Sequence, residues 1–501
     1  MNRRSTFMFL RFVHLSLDHF LISVVGSRFR QNYIRMSYRI KTALFPEYGT
    51  YIPAPTEIGP IPKRDVWMPP AIPSWVLDEM KELARDIDPV LYPTDQFLAN
   101  CRYYSFPVMP RPGQIYRELM ERCSSDSYSH CFAIPWLKRG GADLVTLKHI
   151  EFIARTPGCK VLIILTEPGA SPWLSRIPVG VDVMDASRFE GEIAHEELLL
   201  VLVRILIQLR IDTLHIINSR HVWEVMCRYG LAVSQQTRIF ASIYCDDFDR
   251  YGQPVGFARQ YLPDCYRWLT RVFSDNQAFP ELLCNTYGYR PDLFHVLRTP
   301  VEASLLELAV RKPRGRRVLW AGRLDRQKRP DLLLAVARAL PDVEFHVYGD
   351  TILDDKTGVG DQLRKRKNVR MLGGFNGVES LPFATFPIFL YTSQWDGTPT
   401  MIIAAALASI PIVASRVGGV GDIVTESRGY PVSDIENVAL YVARINEALD
   451  NPRQAEEKAV AAREYVKTEH TEAIFSETLA AIPGYMSSND TANETFWEAA
   501  G

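Results

Sequence analysis

The chain has 501 residues, 47% of them hydrophobic and 23% charged, a balance that suits a soluble protein with more than one buried core. A formal net charge of −1 gives no global attraction to nucleic acid, so any basic function has to be local. Eight cysteines, with no C-x-x-C pair and no metal-ligand rhythm with the ten histidines, favour a reducing, cytoplasmic compartment over a disulfide framework.

In chain order, residues 1–125 read as an amino-terminal, mainly helical extension. Within 1–45 the apolar Met8, Phe9, Leu10, Phe12, Val13, Leu15, Leu17 and Phe20 are broken by Arg11, His14, Asp18 and His19, too interrupted for a bilayer span or a signal-peptide core. Arg28, Arg30, Arg35, Arg39 and Lys41 follow. The segment therefore reads as a basic amphipathic stretch for an anionic membrane surface, as a packing extension, or as sequence ahead of a start at Met36. Prolines crowd 46–73 and mark an extended linker, after which helical periodicity appears at 74–86 and 113–123.

From residue 126 the texture changes to alternating buried strands and helices. Strands are expected at 130–136, 160–166, 213–217 and 238–244, and helices at 142–155, 194–210 and 220–229. The alternation repeats with strands near 318–321, 343–348, 387–391 and 411–414 and helices near 331–340, 361–366, 400–408 and 435–449. This is the signature of parallel, doubly wound sheets, and it predicts two Rossmann-like domains, 126–305 and 306–483. Helices at 453–468 and 471–482 precede a polar tail, 484–501, expected to be mobile.

Three stretches carry chemistry. Val318-Leu-Trp-Ala-Gly322-Arg323 through Lys328 is a buried strand broken by a glycine, with two cations at its carboxyl end and a helix beginning near Asp331. Cations, helix dipole and free amides there suit a diphosphate, while plain surface cations at a strand end are the simpler reading, as for Arg326 and Arg329. Trp395-Asp396-Gly397-Thr398-Pro399-Thr400 is a second turn into a helix, where Asp396 is also placed as an ordinary N-cap. Val417-Gly418-Gly419-Val420-Gly421-Asp422 is a glycine turn that permits close backbone approach.

Together these stretches resemble the carboxyl-terminal domain of retaining, nucleotide-sugar-dependent glycosyltransferases of group 1, family-four-like, whose α/β fold is GT-B: two Rossmann-like, doubly wound domains facing a cleft. The resemblance covers roughly 316–432, more loosely 130–300, and leaves 1–125 uncovered. It implies that Gly322, Arg323 and Lys328 hold the departing diphosphate, that Asp396 stands where relatives carry a first glutamate, and that Gly397, Thr398, Pro399 and Thr400 supply backbone contacts to the donor. The second glutamate, which binds the ribose in relatives, is replaced by Ala404. Gly418, Gly419 and Asp422 match the glycine turn and acid of the donor side. On the acceptor side Gly140 and Gly141, flanked by Lys138 and Arg139, match the glycine loop of a variant associated with bacterial surface-polysaccharide enzymes. Asp246 or Asp247 stands where many relatives have a histidine, and Ser274 and Asn276 fall at an acceptor-side strand end.

The activity implied is transfer of a sugar to a glycan or lipid-linked glycan acceptor in O-antigen, capsule or exopolysaccharide synthesis, with no cofactor and no metal. Its expected place is the cytoplasm, peripheral to the inner face of the membrane. Two rivals keep the fold: a non-catalytic subunit that binds a nucleotide-sugar or a partner synthase, favoured by Ala404, and a nucleotide-sugar epimerase or a phosphorylase.

Overall fold

The computed structural model describes residues 36, 74–95, 98, 110–138, 140–301, 303–306, 315–350 and 358–486. Apart from Met36, the expected membrane-surface segment lies outside the described residues, as do the proline-rich linker, Arg139 and the chain beyond 486. Residues 1–108 form one unit, in which the helix Ser74–Asp86 is followed by a short turn, Pro89–Leu91, where the Asp88 carboxylate accepts from the Val90 amide. Residues 109–501 form the other and carry both sheets.

The first sheet has seven parallel strands: β1 (Ser127–Ile134), β2 (Val161–Leu165), β3 (Asp182–Asp185), β4 (Arg210–Ile217), β5 (Arg238–Ser242), β8 (Arg271–Ser274) and β9 (Phe294–Val296), ordered β3-β2-β1-β4-β5-β8-β9. A two-residue hairpin, β6 (Asp247–Phe248) with β7 (Pro254–Val255), interrupts it after β5. The central strands read as unbroken apolar runs because helices cover both faces; Val161–Leu165 is buried at every position. The second sheet has six parallel strands, β10 (Arg317–Ala321), β11 (Glu344–Tyr348), β12 (Val369–Gly373), β13 (Ile388–Tyr391), β14 (Ile412–Ser415) and β15 (Tyr430–Val432), ordered β12-β11-β10-β13-β14-β15. In both sheets the winding reverses at the centre, between β1 and β4 and between β10 and β13. Loops leaving neighbouring strand ends diverge there and open a crevice, where sheets of this kind take their ligands.

The packing departs from the expected boundaries at two places. The helix Pro110–Met120 puts Ile115 and Leu119 into the core beneath the first sheet, so it is part of that domain and not of the extension. The helix Glu472–Ala481, started by a Thr471 hydroxyl that accepts from the Ile474 amide, returns to the same domain. Phe475, Leu479, Ile482 and Tyr485 pack there with Phe132, Ile134, Leu147 and Ile150. Tyr485 is fully buried, so the start of the expected mobile tail is core. Its hydroxyl meets His215 Nδ1 at 2.8 Å and His149 Nδ1 at 3.2 Å, and its carbonyl accepts from His130 Nε2 at 2.8 Å. The chain passes between domains near 299–301 and near 470, and the two passages are bonded to each other: Val301 N donates to His470 O, and His470 Nδ1 to Thr299 O, both at 2.8 Å.

Candidate active site

The carboxyl ends of the two sheets face a cleft of about 830 Å³ lined from both domains. On one side stand the turns after β10 and β13, which are adjacent strands, so residues some seventy positions apart in sequence meet. Gly322, Arg323, Lys328, Asp396, Gly397, Thr398, Pro399 and Thr400 all line the cleft. The two turns are tied by Gln394 N to Gln327 O at 2.8 Å and Gln327 Nε2 to Trp395 O at 2.9 Å.

The two cations are held differently. Arg323 is half exposed, steered by Asp325 at 2.7 Å and Gln327 at 2.6 Å. The Lys328 ammonium is enclosed, donating to Tyr391 Oη at 3.0 Å and to the Asp396 carboxylate, to which Tyr391 also donates. Burial pulls the Lys328 pKa down, but Tyr391 and Asp396 outweigh it and hold the ammonium above its ordinary range, so it stays charged. Asp396 is thus the partner of a cation and not a helix cap; Pro399 fills the N-cap position of the helix Thr400–Leu407 with no side-chain bond.

Gly418 and Gly419 do not line the cleft. They lie beneath the 396–398 turn: Gly418 has φ +44°, and a Cβ on it would stand 1.9 Å from Asp396 O, while one on Gly419 would stand 2.1 Å from Thr398 Oγ1. Their service is to let a backbone, rather than a ligand, come close. Asp422 is also outside the cleft, accepting from Arg298 and from the Gln277 amide of the other domain, each at 3.4 Å. Ala404 is fully buried in an apolar cluster with Ile402, Ile403 and Leu407 and does not reach the cleft.

Across the cleft, Gly140 and Gly141 open the helix Gly141–Arg155; glycine at the N-cap supplies no capping side chain, and the Asp143 carboxylate of the first turn accepts from the Lys138 amide at 3.0 Å. A Cβ on Gly141 would lie 3.9 Å from Thr400, so the two domains approach closely there. The other expected acceptor-side residues fall away from the cleft. Asp246 is buried and clamped by Arg259 at 2.7 and 2.9 Å; Asp247 is exposed on the β6–β7 hairpin. Ser274 and Asn276 are buried behind the wall, and Asn276 donates to Tyr244 O at 2.9 Å while accepting from Phe279 N at 3.0 Å. The residue between them, Asp275, is the one that lines the cleft. No periodicity marks Asp275, which stands in the bend that follows β8. Burial, with the Asp396 charge adding, pushes the Asp275 acid up to about 7 against the hydrogen bonds it accepts. Trp173, Arg176, Tyr244, Cys245 and Tyr391 also line the cleft and had no sequence signal.

Among the described residues no group of three or more His, Cys, Asp or Glu stands close enough to hold a metal ion, and no helix is long and apolar enough to cross a membrane. The arrangement offers one open cation, one enclosed cation fixed by a carboxylate, and the uncapped start of a helix opposite them. Such a set has the chemistry to receive an anion such as a diphosphate and to stabilise charge that develops on it.

Residues 309–468 match the family described as glycosyl transferases group 1. The chain is 27% identical over 146 residues to the O-antigen biosynthesis glycosyltransferase WbnH of Escherichia coli, which covers 29% of this chain and 41% of that protein. It is 26% identical over 179 residues to the glycogen synthase of Mycobacterium tuberculosis, covering 34% of this chain and 43% of the other. The matches thus span about two fifths of these relatives. The crystal structure of Anabaena Alr3699/HepE in complex with UDP and glucose superposes with a TM-score of 0.57 at 18% identity, covering 70% of this chain and 98% of that one.

Proposed function

We propose, from the match of residues 309–468 to the group 1 glycosyltransferases on a chain with the two-domain GT-B fold, that the protein is a retaining glycosyltransferase. It moves a sugar from a nucleotide-sugar to a glycan or lipid-linked glycan in cell-surface polysaccharide synthesis. The observation that carries this reading is the convergence of Arg323, Lys328 and Asp396 from two adjacent strand ends, opposite the uncapped helix start at Gly140 and Gly141.

In the mechanism proposed, the donor diphosphate lies between Arg323 and Lys328, and Asp396 keeps the ammonium charged and aimed. As the bond from the anomeric carbon to the diphosphate oxygen breaks, negative charge gathers on that oxygen and the two cations stabilise it. The acceptor hydroxyl approaches the same face, bonds to the anomeric carbon and gives its proton to the leaving diphosphate, which accounts for retention without a second carboxylate. Cleft closure removes water from the site.

The test is a thermal-shift screen of UDP-, GDP- and ADP-sugars, starting with UDP-glucose because the Anabaena neighbour holds UDP and glucose, followed by release of nucleoside diphosphate. A midpoint raised by one nucleotide class, with turnover on an acceptor, supports the reading; no shift with any of them sinks it. Ala404 favours a second reading, a donor-binding subunit without turnover, which gives the shift and no release. The reading also places the stretch from Arg28 to Lys41 at an anionic membrane face. A chain beginning after residue 45 then loses sedimentation with anionic vesicles and keeps nucleotide binding; unchanged sedimentation removes that part.

A further inference from the structure

Resting on that reading of the cleft, we propose that Asp275 is the positioning residue through which the amino-terminal domain sets the donor turn 396–400. It clasps Thr398 across the cleft floor and so fixes where Asp396 and Lys328 stand.

Asp275 directly follows the last residue of β8, and it meets Thr398 twice. Its Oδ2 accepts the Thr398 amide at 2.7 Å, and its backbone carbonyl accepts the Thr398 hydroxyl at 2.8 Å. The other carboxylate oxygen, Oδ1, accepts from Asn276 Nδ2 at 2.7 Å, and Asn276 is itself fixed by Tyr244 O and the Phe279 amide. The carboxylate is therefore oriented by its own domain before it reaches the other.

The turn is shaped to receive it. A Cβ on Gly397 would lie 2.7 and 2.9 Å from the Asp275 oxygens, so only glycine admits the carboxylate this closely. On the far side Gly419 leaves room for Thr398, so Thr398 is gripped between Asp275 and the 418–419 turn. One bond along the chain, Gly397 leads to Asp396 and its pair with Lys328. Displacing Thr398 therefore displaces both charged groups that hold the donor.

Among the described residues no lysine or arginine forms an ion pair with Asp275. Its partners are neutral donors, and the groups facing it are Asp396, with Lys328 and Tyr391 behind it, from the donor side, and Tyr244 and Cys245 from its own. A buried carboxylate so placed holds its proton up to about pH 7 in the clasped form, against an ordinary value of 3.8 when solvated. The clasped form thus binds the proton more tightly than the open one. Linkage gives the sign: closure is strongest at acid pH, weakens as pH rises from about 4 to about 7, and is flat above that.

Hydrogen–deuterium exchange of the segment 396–400, in the full chain without substrate, tests the clasp. Asp275→Ala speeds exchange about tenfold over wild type, Thr398→Val, which removes only the hydroxyl arm, speeds it less, and Asp275→Asn, which keeps an acceptor for the Thr398 amide but loses the one for Asn276, falls between Asp275→Ala and wild type. After correction for intrinsic rates, wild-type protection declines from pH 5 to 7 and that of Asp275→Asn does not. In turnover, Asp275→Asn loses the inflection near neutral pH in kcat/KM, a readout that a merely structural role leaves in place. Wild-type exchange in folded Asp275→Ala or, should that variant not fold, in Thr398→Val overturns the clasp; a retained inflection in Asp275→Asn overturns its proton dependence. The exchange needs no nucleotide-sugar, so a wild-type protein without turnover sinks the functional reading and leaves the clasp to be judged by itself.

Discussion

Arg323 and Lys328 share one turn, yet their loss has different consequences. Arg323 is half exposed and its partners stay solvated, so Arg323→Ala lowers donor turnover about a hundredfold while changing stability by no more than about 0.5 kcal/mol. Lys328→Ala leaves the Asp396 carboxylate, which is only 19% exposed, with the Tyr391 hydroxyl as donor but no cation, and costs about 2 kcal/mol in denaturant unfolding besides the loss of turnover. Wild-type turnover in either variant removes the diphosphate assignment. Ala404→Glu, which supplies the glutamate expected from the resemblance, buries a carboxylate in an apolar cluster; it lowers stability by about 3 kcal/mol and leaves nucleotide affinity no tighter, checked by unfolding and calorimetry. The turn that carries Arg323 and Lys328 was legible because glycine, cation spacing and a following helix agree over a dozen residues. Asp275 was not, because one carboxylate at a strand end looks like any loop acid until the other domain supplies the Thr398 amide.

The elements divide in the same way. Strands such as Val161–Leu165 and helices such as Pro330–Ala339 announce themselves by apolar runs and by period. Asp182–Asp185, Val369–Gly373 and Tyr430–Val432 do not: they are short, interrupted by Asp, Arg or Pro, and extended because a neighbouring strand pairs with them. The helix Glu472–Ala481 was expected, but its destination depends on Tyr485 fitting among three histidines that are scattered in sequence. Burial depresses those imidazoles, His130 to about 4 and His149 to about 3, from an ordinary 6.5. The unfolded chain then takes up protons below about pH 6.5 that the folded one refuses, so stability is full above that value and falls as pH drops toward 4. The midpoint of thermal unfolding should fall steeply across that window, and Tyr485→Ala should lower it at every pH; a flat profile to pH 4 rejects the account.

At the scale of the molecule, the two domains also meet through a few contacts outside the cleft. Asp422 is one, reaching Arg298 and the Gln277 amide. Asp422→Ala should therefore leave nucleotide affinity within about threefold in calorimetry, since a partly exposed ion pair contributes little; a larger loss returns Asp422 to the donor site. Beyond such contacts the two domains are joined where the chain passes at 299–301 and at 470. The carbonyl of Tyr485 is bonded to His130, 355 residues earlier. A ribosome releases β1 long before it makes that tyrosine, so the first domain to emerge is the last to be completed. Until then the three histidines lack the partner that bonds them in the finished fold, and the whole second domain lies between them and it along the chain.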